Sequence, residues 1–136
     1  MRPQEEVEAL RNRVLSWKPL TEAMEICPEG IVIMNESRQI LYANPAFQQY
    51  AANTADLTGQ RFGDVMSCIH LHRTPGGCGT GFACRHCEMA NGVFHALKWT
   101  GGQVSGLVHV TTEGPQQVPV QARLESVIVG AHRLLF

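Results

Sequence analysis

The chain has 136 residues, of which 44 % are hydrophobic and 17 % charged, and its net charge is −1. This length suits one domain with a single core, and the composition excludes a disordered chain. The balanced charge gives no basic surface for nucleic acid or for an anionic membrane, and no apolar run is long enough to span a bilayer.

The N-terminal stretch predicts an amphipathic helix over residues 4–18. Its apolar positions recur at intervals of three and four, at Val7, Leu10, Val14 and Trp17. The stretch is charged and has no apolar core of the kind that marks a secretory signal, so we expect a cytoplasmic protein. Two roles stay open for the helix, which either packs on its own domain or forms a dimer by extending a neighbouring signalling coil. We take residues 1–19 as this dimerisation or linker segment and residues 20–136 as one domain.

A short helix over residues 20–26 is expected next, and then a β-hairpin. The two strands of the hairpin cover residues 30–35 and 39–43, and a polar turn joins them. Asn44 and Pro45 then start a helix to about residue 51, because Asn caps a helix and Pro fits its first turn. A further turn at residues 56–59 and a short helical piece at 61–66 complete this part.

The middle of the chain combines a glycine-rich loop with the longest predicted helix. No helix or strand tolerates the glycine density of residues 75–81, and helical periodicity resumes over residues 83–98. The expected face of this helix carries Cys84, Cys87, Ala90, Phe94 and Leu97. The pair Gly101-Gly102 ends it.

The last third is β. Strands are predicted over residues 104–113 and 118–125, and another begins at residue 132 and stops within an apolar run, so we expect the last strand to be truncated. Two separated groups of antiparallel strands imply a five-stranded antiparallel sheet with helices on one face, which is an α+β fold preceded by an N-terminal amphipathic helix.

The segment from Cys27 to Val65 resembles the PAS family of sensor domains. A Gly-led first strand, a second strand that leads into "YANPAF", and the later "LTGQRFGDV" are similar to the opening hairpin, first helix and following turn of that family. The resemblance covers about residues 20–136. It implies a pocket between sheet and helices, a homodimer formed through the N-terminal helix, and signal output to a kinase or other effector module in the same polypeptide.

Four cysteines fall within twenty residues, at Cys68, Cys78, Cys84 and Cys87. Their "C-x-H…GCGT…C-x-x-C" pattern also resembles a subset of PAS domains in bacterial sensor histidine kinases. The spacing is not that of a zinc ribbon, but it is compatible with zinc or with an iron–sulfur cluster. His70, His72 and His86 are possible substitute ligands. A thiol–disulfide pair and merely packed cysteines remain alternatives.

The remaining candidates favour structural roles. Cys27 and the two tryptophans, Trp17 and Trp99, are interpreted as packing residues. His95 would lie on the long helix, where a haem ligand is one alternative, and His109 and His132 are expected on strands. No triad, paired carboxylates or nucleotide motif can be assembled, so we expect a sensor rather than an enzyme. The competing hypotheses are a module that binds a small organic ligand or only dimerises, and a small redox enzyme that works through Cys84 and Cys87.

Overall fold

The computed structural model describes residues 2–49, 56–65, 85, 87–98, 102–110, 116–129 and 132–136. The helices in these ranges are α1 (Gln4–Leu15), α2 (Lys18–Ile26), α3 (Pro45–Gln48), α4 (Phe62–Val65) and α5 (Glu88–Lys98). The strands are β1 (Val32–Met34), β2 (Ile40–Ala43), β3 (Gly102–Val110), β4 (Gln116–Leu124), β5 (Ser126–Val129) and β6 (His132–Leu135). The α+β class predicted from the sequence is confirmed.

The sheet brings the two ends of the chain together. Four strands pair in the order β2-β1-β6-β5, all antiparallel, with Met34 opposite Leu135 where the first hairpin meets the last strand. The other two strands form the hairpin β3-β4, which runs in register from Gly102 opposite Leu124 to Val110 opposite Gln116.

One residue separates the two strand groups. Glu125 lies between β4 and β5, and its N–H and C=O both pair with Phe136. The expected single sheet of five strands is therefore a four-stranded sheet whose edge strand continues, through Glu125, into the second hairpin. The break at Glu125 falls at the end of the strand predicted over residues 118–125, and β5 follows it.

The sheet carries an apolar cluster on each face. Adjacent residues of a strand point to opposite faces, and the pairs Ile33/Met34, Ile40/Leu41 and Leu134/Leu135 are each divided between the two clusters. The buried members of the inner cluster are Met34, Ile40, Ala43, Phe47, Leu57, Val65, Met89, Val93, Ala96, Leu124 and Leu135. Those of the outer cluster are Val7, Leu10, Val14, Met24, Ile33, Leu41, Tyr42 and Leu134. Helices α3–α5 thus cover the inner face, and α1 and α2 cover the outer face.

The N-terminal helix packs on its own domain. Val7 is fully buried, and Leu10 and Val14 are each 8 % exposed. The periodic apolar face of α1 is therefore buried against the same chain. The helix also ends earlier than expected, at Leu15, because Lys18 and Pro19 already belong to α2. Trp17 stands at this junction in a non-helical conformation and is 62 % exposed, so its interpretation as a packing residue is wrong.

The predicted turn at residues 56–59 covers the outer edge of β2. The Gly59 N–H donates to the Ile40 carbonyl at 2.8 Å, and the Ile40 N–H donates to the Gln60 carbonyl at 2.8 Å. Gly59 has a φ of +85°, a conformation that glycine adopts without the penalty a Cβ brings. Hydrogen bonds from the backbone and side chain of Thr58 lower the pKa of the Asp56 carboxyl in the same turn.

Candidate functional site

Cys87 is the member of the predicted cysteine site that the structure describes. It immediately precedes α5, and its carbonyl accepts a hydrogen bond from the Asn91 N–H at 3.0 Å, which closes the first turn of the helix. The Asn91 side chain donates to the Arg85 carbonyl at 3.2 Å, so one residue fixes the backbone on both sides of position 86. The other candidate ligands, Cys68, Cys78, Cys84, His70, His72 and His86, lie outside the described residues.

The Cys87 thiol faces the interior of the domain. It is free, half-buried, and packed against the inner cluster. Helix α5 lies against β3, β4 and β6, and so against strands of both groups. A chemical change at this sulfur would therefore act directly on the contact between α5 and the sheet.

The buried face of α5 overlaps the predicted face only in part. Met89, Val93 and Ala96 are buried, and Cys87 and Leu97 of the predicted face pack against the same cluster, whereas Phe94 is 45 % exposed. The Phe94 ring instead lies under the Arg38 guanidinium, 4.6 Å from the ring centroid. His95 is also exposed, so the structure does not direct it into the inner cluster as a haem ligand would require.

Cys27 is the cysteine that lies outside the predicted cysteine site. It follows the last residue of α2, where its N–H donates to the Met24 carbonyl at 3.3 Å, and it is half-buried rather than part of either buried cluster. The side chains of His109 and His132, and residue Trp99, are not among those described.

Asn44 is fully buried and forms a polar hub, because it bonds to several segments of the chain. The sequence predicted only its role as a helix cap. Its Oδ1 accepts from the N–H groups of Phe47 and Ile31, at 3.0 and 2.8 Å, which confirms its predicted role as cap of the following helix. Its Nδ2 also donates to the carbonyls of Met24 and Glu29, at 3.0 and 2.8 Å. The cap therefore also joins α2 to the start of β1.

Tyr42 makes a second link between the sheet and α2. Its hydroxyl donates to Glu25 Oε1 at 2.8 Å, while the ring belongs to the outer cluster. Burial, and then the hydrogen bond and charge of Glu25, raise the pKa of the Tyr42 phenol well above its ordinary value. Alternation along the strand alone gives no signal for such a pair, because the partner carboxylate comes from a distant helix.

The described ranges contain no group of three or more His, Cys, Asp or Glu residues arranged to hold a metal ion. Within the same ranges, no helix combines the length and apolar character needed to cross a membrane.

No protein-family model matches the chain, and no curated protein matches it. The solved structures that match the chain include the following two. The PAS domain of a Desulfitobacterium hafniense protein is 19 % identical, with a TM-score of 0.47 over 84 % of this chain and 92 % of that one. An RNA-binding light-oxygen-voltage receptor is 21 % identical, with a TM-score of 0.49 over 90 % of this chain, which spans 32 % of the receptor. Overlaps of this extent do not identify a family, and none is assigned from them.

Proposed function

We propose that the chain is a PAS-type sensory module of a bacterial signal-transduction protein, with a histidine kinase as its output module. The resemblance of residues 27–65 to that family supports this proposal. So does the pairing of the opening hairpin, which carries part of the resemblance, with the last strand in one antiparallel sheet. In this role the chain is a cytoplasmic sensor rather than an enzyme.

The proposed sensing chemistry belongs to Cys68, Cys78, Cys84 and Cys87, which bind zinc or an iron–sulfur cluster or report redox state. The single observation that carries this proposal is the position of Cys87. Its carbonyl accepts the first hydrogen bond of α5, and its side chain packs on the inner cluster. A bond formed at its sulfur would therefore change the packing between α5 and the sheet. Zinc would hold the preceding loop with Zn–S bonds of about 2.3 Å, whereas a cluster would respond to oxygen or to reductants.

Purification without oxygen, followed by a visible spectrum and measurement of iron, sulfide and zinc, tests the cysteine proposal. We expect either a brown protein with iron and sulfide or a colourless one with stoichiometric zinc, or else one reversible disulfide within the four cysteines. The variant Cys87→Ser should lose this property, and the matched control Cys27→Ser should keep it. Five freely titrating thiols under reducing and oxidising conditions, without metal, would contradict the proposal.

The alternative is a module that binds a small organic ligand or only dimerises, with structural cysteines. The half-buried, apolar surroundings of Cys87 favour it, because free cysteine packs well as a small apolar side chain. Dimerisation through the N-terminal helices would have to use surface other than the buried face of α1, and Trp17 and Ile26, 62 % and 85 % exposed, are available for it. In this case Cys87→Ser would change neither metal content nor oligomeric state, and dissociation of a dimer by Trp17→Glu would support the dimer.

A further inference from the structure

The turn between β1 and β2, residues 35–39, is bound to elements on both sides of the sheet. Asn35 closes the turn itself, since its Oδ1 accepts from the N–H groups of Ser37 at 3.0 Å and Gln39 at 2.9 Å. Side-chain bonds of this kind are sufficient to stabilise a polar turn. The contacts that the same residues make elsewhere are therefore additional to what the turn requires.

Two of these contacts reach the inner side. The Ser37 carbonyl accepts a hydrogen bond from Arg61 Nε at 3.1 Å, and Arg61 is only 5 % exposed. The Arg38 guanidinium lies over the Phe94 ring of α5. Arg38 holds this position with a φ of +66°, in the left-handed region that residues with a long side chain rarely adopt.

The neighbouring residue, Gln39, reaches the outer side. Its Oε1 accepts from the Arg2 N–H at 3.0 Å, and its Nε2 donates to the Arg2 carbonyl at 3.2 Å. Gln39 is 4 % exposed. Its side-chain amide pairs with both the N–H and the carbonyl of Arg2, in the way that a residue of a neighbouring strand would. The Val7 N–H donates to the carbonyl of Pro3, the residue next to Arg2, at 3.1 Å, so the start of α1 directly adjoins the Gln39 contact.

The turn is also tied to the last strand, because Glu36 Oε1 accepts from the Arg133 N–H of β6 at 2.8 Å. Successive residues of one short turn thus bind β6, the segment before α4, α5, and the chain before α1. Since Arg38 and Gln39 are adjacent, a displacement of α5 that moves Arg38 also moves the residue that holds Arg2.

We propose that the β1–β2 turn is a conformational relay that couples α5 on the inner face to the start of α1 on the outer face. The relay passes around the end of the sheet, from Phe94 to Arg38, through one peptide bond to Gln39, and from there to Arg2. It goes beyond the cysteine proposal and stands independently of it, because none of its members is a cysteine and its test involves no metal.

Amide hydrogen exchange of the folded protein tests the relay. The reporter is the Val7 N–H at the start of α1, and the internal reference is the Ser16 N–H, which donates to the Asn12 carbonyl at the other end of that helix. We expect Arg38→Ala to speed exchange at Val7 by about five-fold, the lower range for coupled sites, and to leave Ser16 unchanged. Phe94→Leu, which removes the ring face but keeps an apolar side chain, should produce the same selective change.

Two further variants decide whether the coupling takes this route. Lys18→Ala removes an exposed positive charge away from the turn and should change neither amide. Gln39→Ala should speed exchange at Val7 by itself, and adding Arg38→Ala to it should have no further effect. Unchanged exchange at Val7 in Arg38→Ala, an equal rise at Val7 and Ser16, or a full Arg38 effect in the Gln39→Ala background would each overturn the relay.

Discussion

At the scale of single residues, buried polar side chains join segments that lie far apart in the described part of the chain. Asn44 is completely buried and joins three segments. The Gln39 side chain bonds to the backbone of Arg2, just before α1. The cap role of Asn44 could be predicted, because Asn before Pro is a local helix signal. Its bonds to α2 could not, because they join residues up to twenty positions apart.

Asn44 provides a test of this buried hub. Asn44→Ala leaves the carbonyls of Met24 and Glu29 and the N–H of Ile31 without their partner, so we expect a loss of about 3 kcal/mol in the free energy of unfolding. Asn44→Asp keeps the acceptor but turns a carboxylate oxygen toward those two carbonyls, so it should destabilise at least as much. Urea denaturation measures both, and a loss well below about 1 kcal/mol in both variants would contradict the hub.

Tyr42 gives a pH-dependent prediction. Its pKa in the folded chain lies above the value of about 10 for an unfolded chain. The neutral phenol therefore contributes stability that is fully present below about pH 10 and is lost as the pH rises through the folded pKa. Tyr42→Phe should unfold more easily than wild type by about 1 to 2 kcal/mol at pH 8, and this difference should shrink above pH 10.

Urea denaturation at pH 8 and pH 11 checks the Tyr42 prediction, with Tyr50→Phe as a control that removes the other tyrosine of the chain. A wild-type advantage over Tyr42→Phe that stays constant across this range would show that the phenol is not the group that titrates.

At the scale of elements, periodicity located α5 but did not select its buried face. The helix carries two overlapping apolar series, Met89/Val93/Ala96 and Ala90/Phe94/Leu97, each with helical spacing. Phe94 and Leu97 belong to the face that was predicted from the sequence. The structure buries the first series and partly buries Leu97 of the second, whereas Phe94 is 45 % exposed and contacts the Arg38 guanidinium.

The two faces of α5 can be distinguished by a pair of substitutions. Val93→Ala should lower the free energy of unfolding by about 2 kcal/mol, because it leaves a cavity in the inner cluster. Phe94→Ala should cost only about 1 kcal/mol, since it removes a partly exposed cation–π contact. Thermal or urea denaturation measures both losses. A larger loss for Phe94→Ala than for Val93→Ala would show that Phe94 lies on the buried face.

At the scale of the whole molecule, one sheet is covered on both faces. The inner face carries α5 and the described member of the cysteine group, and the outer face carries α1 and α2. The α+β class followed from the order of the elements along the chain. The use of α1 on its own sheet could not be chosen from sequence, because an apolar stripe fits a second helix as well as a sheet.

Because Cys87 directly precedes α5 and packs on the inner face, we propose that chemistry at the cysteines acts on α5 through Cys87. The most direct measurement is amide exchange at Asn91 and Val93 in three states of the full chain: reduced and metal-free, reconstituted with zinc or with iron and sulfide, and oxidised. We expect exchange at both amides in one of the latter two states to differ by about five-fold or more from that in the first. Identical exchange at Asn91 and Val93 in all three states would contradict it.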